Sequence, residues 1–249
     1  MPNSNLEILA YEPSPLGTLC LRRRELLSQP GTIVTEVTLN HEFLMSSLYT
    51  DSERALAQTA LEMHAGENLR VLVGGLGLGY TARETLLSSR VARVEVVELL
   101  PQVIDWLKRG LVPLSSELCK AMAADKTASD KKDDEPRLVV TEGDAYGRLA
   151  APPGDLPSDL FDVILIDVDH SPDERLGEES ISFYTAQGLQ AARRHLAPGG
   201  VLGVWSYAES SPFADALGQV FGQVRVEPVT YNNQLIDQEQ TDWLFFARG

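Results

Sequence analysis

The stretch from Leu69 to Leu86, LRVLVGGLGLGYTARETL, constrains this chain more than any other. An apolar run ends in four glycines within six residues, Gly74, Gly75, Gly77 and Gly79, and the pattern then turns helical. Glycines at that density let the backbone take positive φ and approach neighbouring atoms that a Cβ would hold off. Between a buried strand and its following helix, such a turn brings bare backbone to a ligand at the helix N-terminus, on the carboxyl edge of a parallel sheet.

The rest of the chain supplies such a sheet. RVLVGG, RVEVVEL, RLVVTEGD, FDVILIDVD and GGVLGVWSY read as strands, and YTARETLLSS, PQVIDWLKRGL and FYTAQGLQAARRHLA as amphipathic segments between them. That alternation predicts an α/β fold built of βαβ units, with a Rossmann-like, mostly parallel sheet covered on both faces. SPFADALGQVFGQVRVEPVTYNN and TDWLFFARG add a helix and two closing strands, a C-terminal antiparallel hairpin.

Upstream, LEILAYEPSPLGTLCLRRRE and TIVTEVTLNHEFLMSS predict a small N-terminal β-hairpin unit over residues 1–49. TDSERALAQTALEMHA predicts the helix that opens the main domain, 50–249, with Thr50 or Asp51 capping ahead of Glu53. Arg22, Arg23 and Arg24 read as a solvated strand edge, with an anion site as the alternative. The charged run CKAMAADKTASDKKDDEP, within 119–136, reads as a mobile surface insertion.

Composition narrows the partners. A formal net charge of -15 argues against a nucleic-acid backbone, whose affinity is drawn from Lys and Arg, and it suits a cationic small substrate. No apolar run reaches the ~18 to 20 residues of a membrane span, and MPNSNLEILAYEP lacks the order of a signal peptide. A soluble, cytoplasmic protein away from the membrane is therefore expected. Cys20 and Cys119 stand far apart and outside any Cys/His cluster, so neither a disulfide framework nor a metal site is expected. His41, His64 and His195 read as structural.

The glycine spacing bears on the ligand. A dinucleotide fingerprint would be G-x-G-x-x-G, whereas Gly75, Gly77 and Gly79 are tighter. A pyrophosphate needs the longer loop; a nucleoside with a sulfonium tail needs only close backbone approach. Ligands of the S-adenosylmethionine type are favoured over NAD. Glu98 ends the second strand nineteen residues after Gly79, near the interval at which an acid meets ribose hydroxyls. Asp144, in TEGDAYG, either accepts from an adenine amino group or caps the next helix; both roles stay open.

With VGGLGLGYT, VEVVELLPQVI, EGDAYGRL, FDVILIDVDHSPD and FYTAQGLQAARRHLAPGGVL in that order, the sequence resembles the spermidine synthase (polyamine aminopropyltransferase) family, a branch of the class I methyltransferase fold. The resemblance covers nearly the whole chain. It implies that Gly75, Gly77 and Gly79 line the cofactor, that Glu98 binds ribose and Asp144 adenine, and that the protein forms a homodimer. Asp167 matches the first acid of the family's DSSDP-type loop, which receives or orients the attacking amine. Tyr231 in VTYNN matches the tyrosine of a PTYPSG-type segment in the acceptor pocket.

The departures shape the expected reaction. In the family's GGGDGG loop the aspartate that holds the donor's ammonium falls on Gly77. The DSSDP loop is DVDHSP here, with Asp169 a candidate for substrate binding and His170 a second candidate acid-base beside Asp167. Met45 and Ser46 stand where a glutamine is usual. With Gly77 in place of the acid, the loop amides would be open to the carboxylate of S-adenosylmethionine, so the expected reaction is methyl transfer to a small amine. Aminopropyl transfer from decarboxylated S-adenosylmethionine to a polyamine is the alternative, and nucleoside binding without catalysis a second.

Overall fold

A computed structural model describes residues 5–123, 135–168, 171–172, 183–234 and 237–249. Four antiparallel strands open the chain: β1 (Leu6–Ser14), β2 (Gly17–Glu25), β3 (Ile33–Leu39) and β4 (Glu42–Ser46), paired in that order. The stretch read as one extended segment is split at Asn40 and His41, both at positive φ (51° and 73°), which join β3 to β4 in a two-residue hairpin. Asn40 accepts the Thr18 amide through Oδ1 at 2.8 Å and so holds that turn against the neighbouring one.

α1 (Asp51–Met63) leads into the main sheet. The sheet contains β5 (Leu69–Gly74), β6 (Val91–Glu98), β7 (Leu138–Glu142), β8 (Phe161–Ile166), β9 (Leu196–Ser206), β10 (Gln223–Asn233) and β11 (Gln238–Arg248), ordered β10-β11-β9-β8-β5-β6-β7. β5 to β9 run parallel, and β11 and β10 add on antiparallel. Central β5 and β8 are apolar and buried along almost their whole length, as strands covered on both faces must be. Edge strand β10 alternates between exposed and half-buried positions.

The helices on the two faces are α1 with α2 (Tyr80–Leu87), α3 (Pro101–Lys108), α4 (Ser115–Met122), α5 (Ala145–Ala150), α6 (Ala186–Arg193) and α7 (Ser211–Val220). Two apolar clusters fill the layers. One extends from the main sheet into the N-terminal sheet, where Leu19, Leu21 and Val37 pack in the same cluster as Leu56, Val73 and Trp106. The N-terminal sheet is thereby cemented to the domain. The other lies beneath α6 and α7, around Phe161, Phe213 and Phe245.

Local expectations are corrected at three places. The insertion read over 119–136 begins later, because Cys119 to Met122 complete α4; 124–134 lie outside the described residues. Thr50 flanks α1 without a side-chain cap. The arginine triplet is no edge: β2 lies inside its sheet, and the two-residue period of the strand puts Arg22 and Arg24 on one face and Arg23 on the other, toward Glu7. Among the described residues no helix is long and apolar enough to cross a membrane.

Candidate active site

The sheet changes direction between β5 and β8. Later strands run outward on one side of β5 and earlier ones on the other, which leaves a crevice at the carboxyl ends where open α/β sheets bind ligands. The glycine loop lies there. Gly75 has φ +88°, and a Cβ on it would fall 2.3 Å from the Asp167 carbonyl oxygen, so this glycine lets the ends of β5 and β8 close together. Gly77 and Gly79 line the cavity, with Leu76 and Leu78, and Gly75 stands behind them against the end of β8.

Glu98 is the base of the loop. One carboxylate oxygen accepts the Leu76 amide at 2.7 Å and the other the Leu100 amide at 2.8 Å, with the Gly77 and Leu99 amides adding to them. Burial raises its pKa against the pull of those amides. The Gly75 amide is spent on the Val97 carbonyl and the Gly79 amide on that of Leu76. The loop amides expected to receive an S-adenosylmethionine carboxylate are therefore largely engaged inside the fold. Glu98 itself is buried and faces the loop, outside the cavity lining. Asp144, also outside that lining, fills the second of its two open roles: its carboxylate caps α5, accepting from the Tyr146 and Gly147 amides at 2.9 Å each.

The cavity is about 920 Å³, between the N-terminal sheet and the carboxyl edge of the main sheet. Its floor is acidic. Asp167, immediately after β8, accepts from Thr81 Oγ1 at 2.7 Å. Burial, helped by the Asp242 charge, carries Asp167 up to about 6 against that hydrogen bond. Glu53, in the first turn of α1, is pushed to about 8, first by burial and then by the charge on Asp167. Asp242, from β11, is also raised by burial.

Ser52 joins two of these acids. Its Oγ lies 2.7 Å from Asp242 Oδ2 and 3.1 Å from Glu53 Oε2, and it accepts from Trp205 Nε1 at 2.9 Å. One hydroxyl proton serves one acceptor, so donation goes to the nearer Asp242, and a protonated Glu53 completes the network by donating to Ser52. Carboxyls stacked this way in a buried cleft hold protons that an incoming cation would favour releasing.

Aromatic walls stand over the acids. Tyr231, on β10, stacks on Tyr49 with ring centroids 4.8 Å apart, and its pKa is pushed up to about 12 by burial and then by Asp242. Trp205, Tyr207 and Tyr80 also line the space. Such faces suit a cation or an alkyl chain. Tyr231 and Asp167, both singled out by the resemblance, line the same cavity. Asp169 and His170 lie outside the described residues. Glu53, Asp242, Trp205 and Tyr49 also line the cavity, and no sequence motif marks them. Glu53 read as a helix-start acid, and the only other signal was a general excess of carboxylates. His195 is structural, with Nε2 2.9 Å from the Ala151 carbonyl oxygen.

No model of a known protein family matches the chain. Over 139 residues it is 33% identical to polyamine aminopropyltransferase 2 of Streptomyces coelicolor, an overlap of 56% of this chain and 22% of that protein. The chain therefore matches about a fifth of that relative's length. Among solved structures, it superposes on a spermidine synthase in complex with the transition-state analogue AdoDATO with a TM-score of 0.67 at 20% identity, covering 97% of this chain and 73% of the other. The spermidine synthase of Thermotoga maritima gives 0.65 at 18%, with 97% and 72% covered. A probable spermidine synthase of Corynebacterium glutamicum gives 0.60 at 15%, with 97% and 79% covered. The fold is that of the spermidine synthases, a class I methyltransferase-like sheet preceded by an antiparallel sheet.

Proposed function

We propose that the chain is a polyamine aminopropyltransferase-like enzyme that transfers an aminopropyl group from decarboxylated S-adenosylmethionine to a small amine. The observation that carries this reading is the convergence of Asp167, Glu53 and Asp242 under aromatic faces beside the Gly77 loop. Methyl transfer rested on free loop amides at Gly77, and those amides are turned to Glu98 and to the backbone. The neighbours support this reading by name: the sequence relative is called a polyamine aminopropyltransferase and the superposed structures are called spermidine synthases.

The residues present fit such a donor: bare backbone at Gly77 and Gly79 lines one wall, and the cavity has the volume of a small-molecule site. Decarboxylated S-adenosylmethionine supplies a sulfonium-activated carbon and leaves as a neutral thioether. The chain must do the rest. An alkyl amine arrives protonated, near the ~10.4 of a lysine side chain. The acidic floor draws it in as a cation, and Tyr49, Tyr231 and Trp205 exclude water around its chain. Asp167, ionised above about 6, takes the proton that frees the lone pair. A nitrogen-carbon bond then forms as the carbon-sulfur bond breaks, with the proton on Asp167. Glu53 ionises when the cation binds and stabilises it electrostatically.

Incubating the purified protein with each sulfonium donor and a panel of diamines, with products read by mass spectrometry, tests the reading. An amine heavier by an aminopropyl group, formed only with the decarboxylated donor, is expected. A methylated amine formed from S-adenosylmethionine alone would return the reaction to methyl transfer, and donor binding without any product would favour the non-catalytic role.

A further inference from the structure

The cavity has a second, oppositely charged wall that aminopropyl transfer to a simple diamine does not use. Arg22 and Arg24 of β2 face it from the N-terminal sheet, with Glu36 of β3 between them. Arg22 places Nε and Nη2 each 2.9 Å from Glu36 Oε2, and Arg24 places the same pair of atoms each 2.7 Å from Oε1. The Glu36 side chain is 5% exposed, whereas those of Arg22 and Arg24 are 35% and 29% exposed.

One guanidinium neutralises one carboxylate. The second leaves a positive charge on the wall, and among the described residues Nη1 of each arginine has no partner. A pair added only to hold the two strands together would not need that second cation in the cavity. A guanidinium anchored by Nε and Nη2 on a fixed acid is preorganised, so little freedom is lost when its outer edge meets a further oxyanion.

We infer that Arg22 and Arg24 form a carboxylate subsite, so that the molecule bound here carries an amine for the acidic floor and a carboxylate for the arginine wall. This rests on the reading of the cavity as the place where amine and donor meet. Two molecules could bring the carboxylate: an amino-acid-type acceptor, such as a diamine with a carboxyl group on its chain, or the methionine tail of S-adenosylmethionine. The residue pattern favours the acceptor, because the Gly77 loop approaches the N-terminal sheet at Met45 of β4, and β3 separates that strand from β2.

The test compares ligands that differ only by the carboxylate: ornithine against putrescine, lysine against cadaverine, and S-adenosylmethionine against its decarboxylated form. Affinities are measured by calorimetry on the wild type and on Arg24→Gln, which leaves Arg22 on Glu36. Arg23→Gln, on the opposite face, is the control. We expect the wild type to bind at least one carboxylated diamine about tenfold more tightly than its plain counterpart, and Arg24→Gln to abolish that margin while leaving the plain diamine unchanged. An Arg24-dependent margin in the donor pair alone would keep the subsite, assign it to the donor and overturn the aminopropyl reading. Equal affinities within every pair, a margin that survives Arg24→Gln, or binding of none of these ligands would overturn the subsite. Aminopropylated putrescine formed with no carboxylate preference would overturn the subsite and leave the proposed reaction standing.

Discussion

Thr81 Oγ1 donates to Asp167 Oδ2 at 2.7 Å, tying the first turn of α2 to the residue that follows the central strand β8. The contact lowers the pKa of a carboxyl that burial and the Asp242 charge have raised to about 6. A base works deprotonated, so kcat/KM should climb with pH through about 6 and then level off. In Thr81→Val the rising limb moves to higher pH, while the plateau stays near that of the wild type. Asp167→Asn loses about 10² to 10⁴ in rate at every pH. A limb that ignores Thr81→Val would remove Asp167 as the base.

Glu53 gives the ligand-free protein an unusual pH dependence. Its folded pKa of about 8 lies above the ordinary 4.5, so between those values the folded state holds a proton that the unfolded state has released. Stability from this group is full below about 4.5 and is lost as pH rises through about 8. Asp167 adds the same sign over a lower window, from 3.8 to about 6. Glu53→Gln should therefore raise the melting temperature at pH 8.5 and change it little at pH 5. Equal shifts at both pH values would mean that Glu53 is ionised throughout.

The fold was legible because its signals are local. The unbroken apolar run of FDVILI and the glycines after LRVLV are properties of a few adjacent residues, and so was Asp167 at the end of its strand. The acidic floor of the cavity was not legible. Ser52 and Asp242 meet across 190 positions, and Trp205 reaches the same hydroxyl from a third element. Glu53 looked like a cap because its place in the first turn is the same for either role; only the packing of β8 and β11 against α1 turns it inward. The arginine triplet misled for a related reason. Composition shows three charges in a row, and only a partner strand carrying Glu36 shows that two of them share a face.

Glu98 and the loop above it lead to a different expectation from the one ribose binding alone would give. Glu98→Ala strands the buried amides of Leu76 and Leu100, each at a cost of about 1–3 kcal/mol. The melting temperature should fall by several degrees and donor affinity should fall with it, because the loop loses its anchor. Loss of donor affinity at an unchanged melting temperature would assign Glu98 to ribose contact instead.

Two glycines of that loop should respond to a side chain to very different degrees. Gly75→Ala places a methyl group against the Asp167 carbonyl, 2.3 Å away, at φ +88°, so clash and strain combine, and a destabilisation of about 3 kcal/mol or more is expected. Gly77 differs. Its φ of +50° is in the left-handed region that aspartate tolerates better than most residues, and the nearest atom to an added Cβ is Met45 Sδ at 3.5 Å. Gly77→Asp should fold, with a melting temperature only a few degrees below that of the wild type. Its carboxylate would enter the cavity wall where a donor tail passes, repelling the carboxylate of S-adenosylmethionine and pairing with the ammonium of the decarboxylated form. Calorimetry of the two donors should show the ratio of their affinities shifting toward the decarboxylated one by about tenfold relative to the wild type. A ratio unmoved in a well-folded Gly77→Asp protein would show that the donor's tail runs along another wall, and the Gly77 loop would lose its part in choosing between donors.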